Sequence, residues 1–247
     1  EEAHLGAGLP PARASLLPAD LARYRALGRE AAEVLTDVAH GVRPDDAERA
    51  VAARLAAGLA ARGADPLVVL VAGADRLPHR HPLPGPGRIG RRAMLVVCAR
   101  RHGLIANVTR WLRFGPATAE ELAAEQGILA VEAAFFDATR PGRPLEDVFA
   151  EAIGGYGAHG FDPEEWRRHH QGGAAGYVGR DPRALPGVTD LVQAGQAFAW
   201  NPTAPGAKIE DTVLLGAHGI ESLTLDPRWP VVPFAGRERP AELELPA

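Results

Sequence analysis

Four of the nine histidines set out the chemistry open to this chain. His79 and His81 lie in LPHRHPLP, and His169 and His170 are adjacent in WRRHHQGG. An imidazole titrates near neutrality and so suits general-base work on water when a carboxylate or carbonyl orients it. The plainer role for His79 and His81 is to cap backbone groups of their own loop. The His169-His170-Gln171 run follows a helix expected to open at Asp162. Adjacent histidines on a helix cannot both face one ligand, so a zinc motif of the H-E-x-x-H kind is not present. At that helix exit His170 either donates into a cleft or, the expected role, caps carbonyls at the C-terminus. Cys98, the single cysteine, excludes an internal disulfide and any multi-cysteine metal site. Placed mid-strand without patterned His and Asn, it reads as core and not as a nucleophile. Gly172, Gly173 and Gly176 form no phosphate loop, because they neither follow a strand into a helix nor end in Gly-Lys-Ser/Thr.

These residues need elements to hold them. From Pro18 the apolar positions Leu21, Tyr24, Leu27, Ala31, Leu35 and Val38 step by three and four, one face of a helix. Gly41 and Pro44 end it. A second helix restarts at Asp45 or Asp46 on the stripe Val51, Leu55, Leu59, with Gly63 as its left-handed stop. Leu67–Val71 reads as a buried strand. Residues 73–92, GADRLPHRHPLPGPGRIGRR, form a long loop of the kind that is usually functional. Met94–Ala99 and Leu104–Phe114 follow as a hairpin, on which Asn107 and Thr109 share one face while Arg110 takes the other and anchors the sheet's outer network. Thr118 and Glu121 make a capping box that opens a helix to about Ala138. Leu145 to Ile153 is a further short helix, and Gln196–Trp200, Lys208–Leu215 and Glu221–Leu225 read as strands. Residues 1–17 are an extended lead-in, and residues 226–247 a Pro-rich tail. Helix-then-strand order in both halves, about 18–115 and 116–225, suggests a duplication around one sheet.

The chain has 247 residues, 46% hydrophobic and 23% charged, with 27 basic against 31 acidic residues and a net charge of −4. Length and composition are those of a globular protein that needs no disulfide or metal to fold. No basic excess points to nucleic acid and no acidic tail to disorder. No apolar run approaches the ~20 residues that span a bilayer. Residues 1–15 lack a basic start and an apolar centre, so they are not read as a signal peptide, and a cytoplasmic protein is expected. Lys208 is the only lysine; by strand alternation it shares a face with Glu210.

Five stretches in order resemble the pita-bread fold family of methionine aminopeptidase, aminopeptidase P, prolidase and creatinase. LPADLARYRALGREAAEVL…GVRPDDAERAVAARLAAGLAARGADP looks like its paired first helices, and LPHRHPLP its substrate-side histidine loop. LVVCARRHGLIANVTRWLRFG resembles its metal-binding hairpin, QGGAAGYVGRD its G-H-G-x-G-x-x-x-H-E loop, and AFAWNPTAPGAKIEDTVLLGAHGIESLT its closing strands. The resemblance covers residues 18–225. It implies an α+β pita-bread fold, with two pseudo-symmetric α-β halves around a curved antiparallel sheet, and frequent homodimerisation.

Peptidases of this family hold two metal ions with two aspartates, a histidine and two glutamates. The resemblance places Val96, Asn107, Gly173, Asn201 and Glu210 at those positions, and Arg180-Asp181 where the family has His-Glu. Only Glu210 keeps a carboxylate. The expectation is a divergent branch lacking the dimetal ligands, with no metal and no cofactor. Creatinase implies a metal-free alternative, in which a histidine shuttles the proton. His79 falls on that position, with Glu210 as partner. Asn107, Gln171, Tyr177, Arg180, Asn201, Lys208, His81 and His170 would line the same cleft. Arg180 either holds a ligand carboxylate or phosphate or pairs with Asp181, and Trp200 either narrows the cleft or packs. The implied function is a metal-free hydrolase or lyase on a C–N bond of a small, polar, anionic substrate. The alternatives are an inactive homologue binding a small molecule, peptide or protein, and an Xaa-Pro peptidase by similarity.

Overall fold

The computed structural model describes residues 9–246; residues 1–8 of the expected lead-in lie outside the described part. Leu9–Ala14 (α1) precedes the long helix Pro18–His40 (α2), whose Tyr24, Leu27, Ala31 and Leu35 are buried. Asp46 is held back by Arg43 N, and the second helix begins only at Glu48 (α3, Glu48–Ala61). Gly63 (φ +69) ends it in the left-handed conformation that costs glycine least. The strands Asp65–Ala72 (β1), Arg92–Arg101 (β2) and Leu104–Phe114 (β3) follow. The capping box at Thr118 is formed on both sides and starts Ala119–Ala138 (α4), which leads to Leu145–Ile153 (α5) and Gly155–Ala158 (α6). The second half is completed by β4 (Gly172–Ala175), β5 (Ala197–Trp200), β6 (Thr203–Ala204), β7 (Ala207–Lys208), β8 (Glu210–Gly216) and β9 (Gly219–Ser222).

One curved sheet organises the molecule, in the order β1-β2-β3-β8-β5-β4, with β9 added to β8. Every neighbouring pair on that path is antiparallel. Two apolar cores cover one face. The first joins α2 and α3 to Leu95, Val97, Ala106 and Val108. The second joins α4 and α5 to Phe198, Trp200, Val213 and Leu215. Among the described residues no helix is long and apolar enough to cross a membrane.

Five expectations are corrected. Leu9–Ala14 of the lead-in is helical and not extended. β1 is an edge strand, and Leu67 and Val68 are exposed rather than buried. The helix expected from Asp162 is reduced to a single 3-10 turn, Glu165–Arg168. Residues 226–246 are not a tail. They form the hairpin Val231–Phe234 (β10) and Arg237–Pro240 (β11), then Leu243–Leu245 (β12), which pairs parallel to β3 and places Leu243 and Leu245 in the first core. Strand β9 starts at Gly219, two residues before the expected Glu221.

Candidate functional site

Strand register alone gathers the five positions singled out above on the sheet face turned away from the helices. Val96 of β2 stands opposite Thr109 of β3, which stands opposite Glu210 of β8. Trp200 pairs with Asp211, so Asn201 lies beside Glu210 at the end of β5, its N–H donating to Gln171 O at 2.9 Å. Two residues along the same face, Cys98 opposes Asn107, whose backbone N–H is met by Thr212 Oγ1 at 2.7 Å. Ala199 pairs with Thr212 on one side and Gly173 on the other. Side chains alternate along a strand, so these two rows share one face.

Glu210 is 3% exposed. Arg180 Nη2 donates to its Oε1, Thr109 Oγ1 donates to Oε2 at 3.1 Å, and Lys208 Nζ lies 3.9 Å from Oε2. Burial pushes its carboxyl pKa up, but Lys208, Arg180 and His170 outweigh that and hold it below the ordinary value. Lys208 is itself lowered, burial outweighing the pull of Glu210. Arg180 therefore pairs across the sheet with Glu210 and not with its neighbour Asp181, which bonds Arg13. Four buried polar atoms of this region have no protein partner among the described residues: Asn107 Nδ2, Asn201 Oδ1, Arg180 Nε and His170 Nδ1.

The histidine loop reaches this face through two carboxylates. Buried Glu48, the first residue of α3, accepts from Gly73 N and Gly85 N, each at 2.8 Å, and from Arg76. Buried Glu165 accepts from Arg80 and, at 2.7 Å, from Arg168. The second carboxylate ties the loop to the turn before His169. His81 Nε2 stands 3.1 Å from His169 Nε2, and the His169 and His170 rings lie 4.5 Å apart. With His169 extended (φ −158°, ψ 146°) the helix that would have splayed the two rings is absent, so the expectation that adjacent histidines diverge is corrected. Burial pushes all three imidazoles towards the neutral form, with nearby cations adding to it: Lys208 for His81 and His169, Arg180 for His170, which falls to about 3.

Other expected site residues go elsewhere. His79 is exposed, its backbone N–H donating to Arg76 O; His81, two residues on, takes the place among the imidazoles. Tyr177 is 40% exposed and lies over Gly103 at the β2–β3 turn. Gln171 is buried with its amide occupied, accepting from Tyr156 Oη at 2.5 Å and donating to His169 O at 2.6 Å. Trp200 packs, stacked on Phe135 and Phe198, with Nε1 donating to Thr139. Arg110 points to the helix-covered face, where it bonds Asp211 at 2.8 Å. Sequence reasoning missed Glu48, Glu165 and Thr203, whose Oγ1 stands 3.5 Å from His169 Nδ1. Their signal is faint, since each is defined by what it accepts from residues distant in the chain.

Residues 22–217 match the metallopeptidase family M24. Among solved structures, dipeptidase PepE from Mycobacterium ulcerans superposes with a TM-score of 0.82 at 21% identity, over 98% of this chain and 64% of that one. Prolidase from Pyrococcus horikoshii gives 0.80 at 19% identity, over 89% of this chain and 66% of that one. Methionine aminopeptidase from Rickettsia prowazekii gives 0.70 at 17%, over 85% and 99%. The chain thus spans about two thirds of the length of the first two. No curated protein sequence matches it closely enough to count as a relative. With its mixed α+β architecture and curved antiparallel sheet shared with these structures, the chain belongs to metallopeptidase family M24 and has the pita-bread fold.

Proposed function

We propose that this cleft serves a small anionic molecule, as a hydrolase or lyase acting on a C–N bond without the paired metal ions of the family's peptidases. Two hard divalent cations side by side need several anionic oxygen donors. Val96 instead packs with Leu70, Ala72 and Met94. At Gly173 (φ +142) a Cβ would collide with the Pro182 carbonyl and stand 2.7 Å from Ala184 N, so no side chain fits there. Asn107 and Asn201 offer neutral amides, and Glu210 already serves Arg180, Lys208 and Thr109. This donor set does not fit a pair of divalent cations.

The observation that carries the reading is the buried Arg180–Glu210–Lys208 group, two cations on one carboxylate. Its spare positive charge favours an anionic ligand, and an arginine fork suits a carboxylate or phosphate. A buried polar atom left unpaired costs about 1–3 kcal/mol, so Asn107 Nδ2, Asn201 Oδ1 and Arg180 Nε favour an occupant that pairs them. Taking a proton from water calls for a base whose pKa lies near the working pH, which His170, lowered to about 3, does not offer, while His79 is exposed.

Calorimetric titration with small carboxylates and phosphates, set against their neutral amides, tests this. Anions should bind in preference, and Arg180→Ala should weaken them by ~10-fold or more, about 1.4 kcal/mol. Hydrolysis of Xaa-Pro dipeptides with two manganese or cobalt ions per chain would overturn the reading. Binding without turnover of any C–N compound would favour the second reading, a non-catalytic binder, which the full engagement of Glu210 supports.

A further inference from the structure

The geometry points to a site for one borderline-soft divalent cation, such as zinc, held by His81, His169 and His170. This site is separate from the five family positions and stands whether or not the cleft takes an anion. Its three imidazoles come from two segments, the loop after β1 and the stretch before β4, and one nitrogen of each lies within 4.8 Å of the other two. A tetrahedral zinc with bonds of about 2.0–2.1 Å sets its nitrogen ligands about 3.3 Å apart. The 3.1 Å between His81 Nε2 and His169 Nε2 is already close to that spacing, and the third imidazole needs a shift of about 1.5 Å at most.

The surroundings orient the ligands. Thr203 Oγ1 donates to Asn201 O at 3.2 Å, so its oxygen is free to accept from His169 Nδ1 at 3.5 Å. In the tautomer with the ring proton on Nδ1, Thr203 accepts it and the Nε2 lone pair faces His81, the arrangement by which a metal-bound histidine is commonly steadied. His170 Nδ1 is buried and unpaired among the described residues, a nitrogen for which the protein supplies no use. The Arg80–Glu165 ion pair, with Glu165 only 1% exposed, holds the two segments together. Exposed His81 gives an ion a way in from solvent.

Donor type decides which cation. Three imidazoles without a carboxylate suit zinc, nickel or copper and not magnesium, calcium or manganese. Lys208 and Arg180 stand close enough to depress the imidazoles, and Glu210 offsets only one of those charges. The fourth position therefore goes to an anion, such as hydroxide or chloride.

The test uses the full chain without a histidine tag, stripped with chelator and titrated calorimetrically with zinc chloride, with cobalt(II) as spectroscopic probe. One zinc per chain is expected, with a visible cobalt band typical of four- or five-coordination. His81→Ala, on an exposed loop where folding is not at stake, should weaken zinc by ~10- to 100-fold at an unchanged melting temperature. His169→Gln and His170→Gln should each abolish the cobalt band. Lys208→Met should tighten zinc by removing a like charge. Absence of saturable zinc binding, or binding unchanged in the triple histidine variant, would overturn the site. Two metals bound independently of these histidines would do so as well, and would also return the cleft to the dimetal class.

Discussion

Glu210 and Cys98 lie on one sheet face, the carboxylate buried and the thiol half-buried. For the carboxylate, burial alone would favour the neutral acid, but Lys208 and Arg180 reverse the balance. For the thiol nothing does: burial pushes it up to about 12, and the Glu210 charge adds to the same direction. Reactivity belongs to the thiolate. At pH 8 a free cysteine of pKa ~8.5 is about one quarter ionised, so native Cys98 should carry roughly three orders of magnitude less thiolate. Iodoacetamide labelling at pH 8 should therefore be slower in the native protein than in urea by at least ~100-fold. Equal rates would mean that the thiolate is not disfavoured as described. The expectation that Cys98 packs in the core is corrected, since it is half-buried and joins none of the apolar clusters. Arg180 was harder, because it lies in a loop and its partner Glu210 is thirty residues on, in β8, while the obvious neighbour Asp181 turns to Arg13.

Elements whose signals are local were legible. Thr118 and Glu121 lie three residues apart and satisfy each other's backbone, at 3.2 and 2.9 Å, and the spacing of Tyr24, Leu27 and Leu35 needs only one helix to express it. The segment from Asp162 failed for the opposite reason. Its Asp-Pro start is a valid helix signal, but Asn201 N pulls Gln171 into strand pairing and His169 reaches His81, so tertiary contacts outweigh propensity. β12 was illegible because its partner β3 is far away in sequence and a three-residue strand carries almost no pattern. Leu243 tests its weight. It is 7% exposed within the first core, and Leu243→Ala should cost about 2–4 kcal/mol, lowering the melting temperature by roughly 5–15 °C at this size. A shift below about 1 °C would show β12 to be decoration on β3.

Across the whole molecule, the two apolar cores meet at a buried charged seam. Asp211 of β8 accepts from Arg110 of β3 at 2.8 Å, from Arg239 of β11 at 2.6 Å and from Thr224 at 2.6 Å. Arg239 also grips Glu132 of α4 through two bonds of 2.7 and 2.6 Å. One carboxylate thus joins both halves and the C-terminal hairpin. Burial raises the Asp211 pKa, yet Arg110 and Arg239 bring it below the ordinary value. A depressed carboxylate adds stability above its unfolded pKa of about 3.9, and that stability is lost as the pH falls below it. Asp211→Asn should cost about 3–5 kcal/mol at pH 7, since two buried guanidiniums lose their shared counter-charge. It should also flatten the fall in urea midpoint between about pH 4 and pH 2. An unchanged acid limb would assign that fall to other carboxylates. The ordered family-like blocks made the fold readable, but this seam was not, because Arg239 sits in what reads as a tail and Glu132 inside an apolar helix.

On the proposed reading of this face, Gly173 limits what protein engineering could place there. Aspartates at 96 and 107 and a glutamate at 201 would be exchanges of side chains on an existing face. At 173 the obstacle is backbone, with the chain at 182–184 lying where any Cβ must go. Point substitution therefore stops one donor short, however well the other four are chosen. A graft of the family's metal centre onto this scaffold would have to begin by transplanting the whole 172–184 loop.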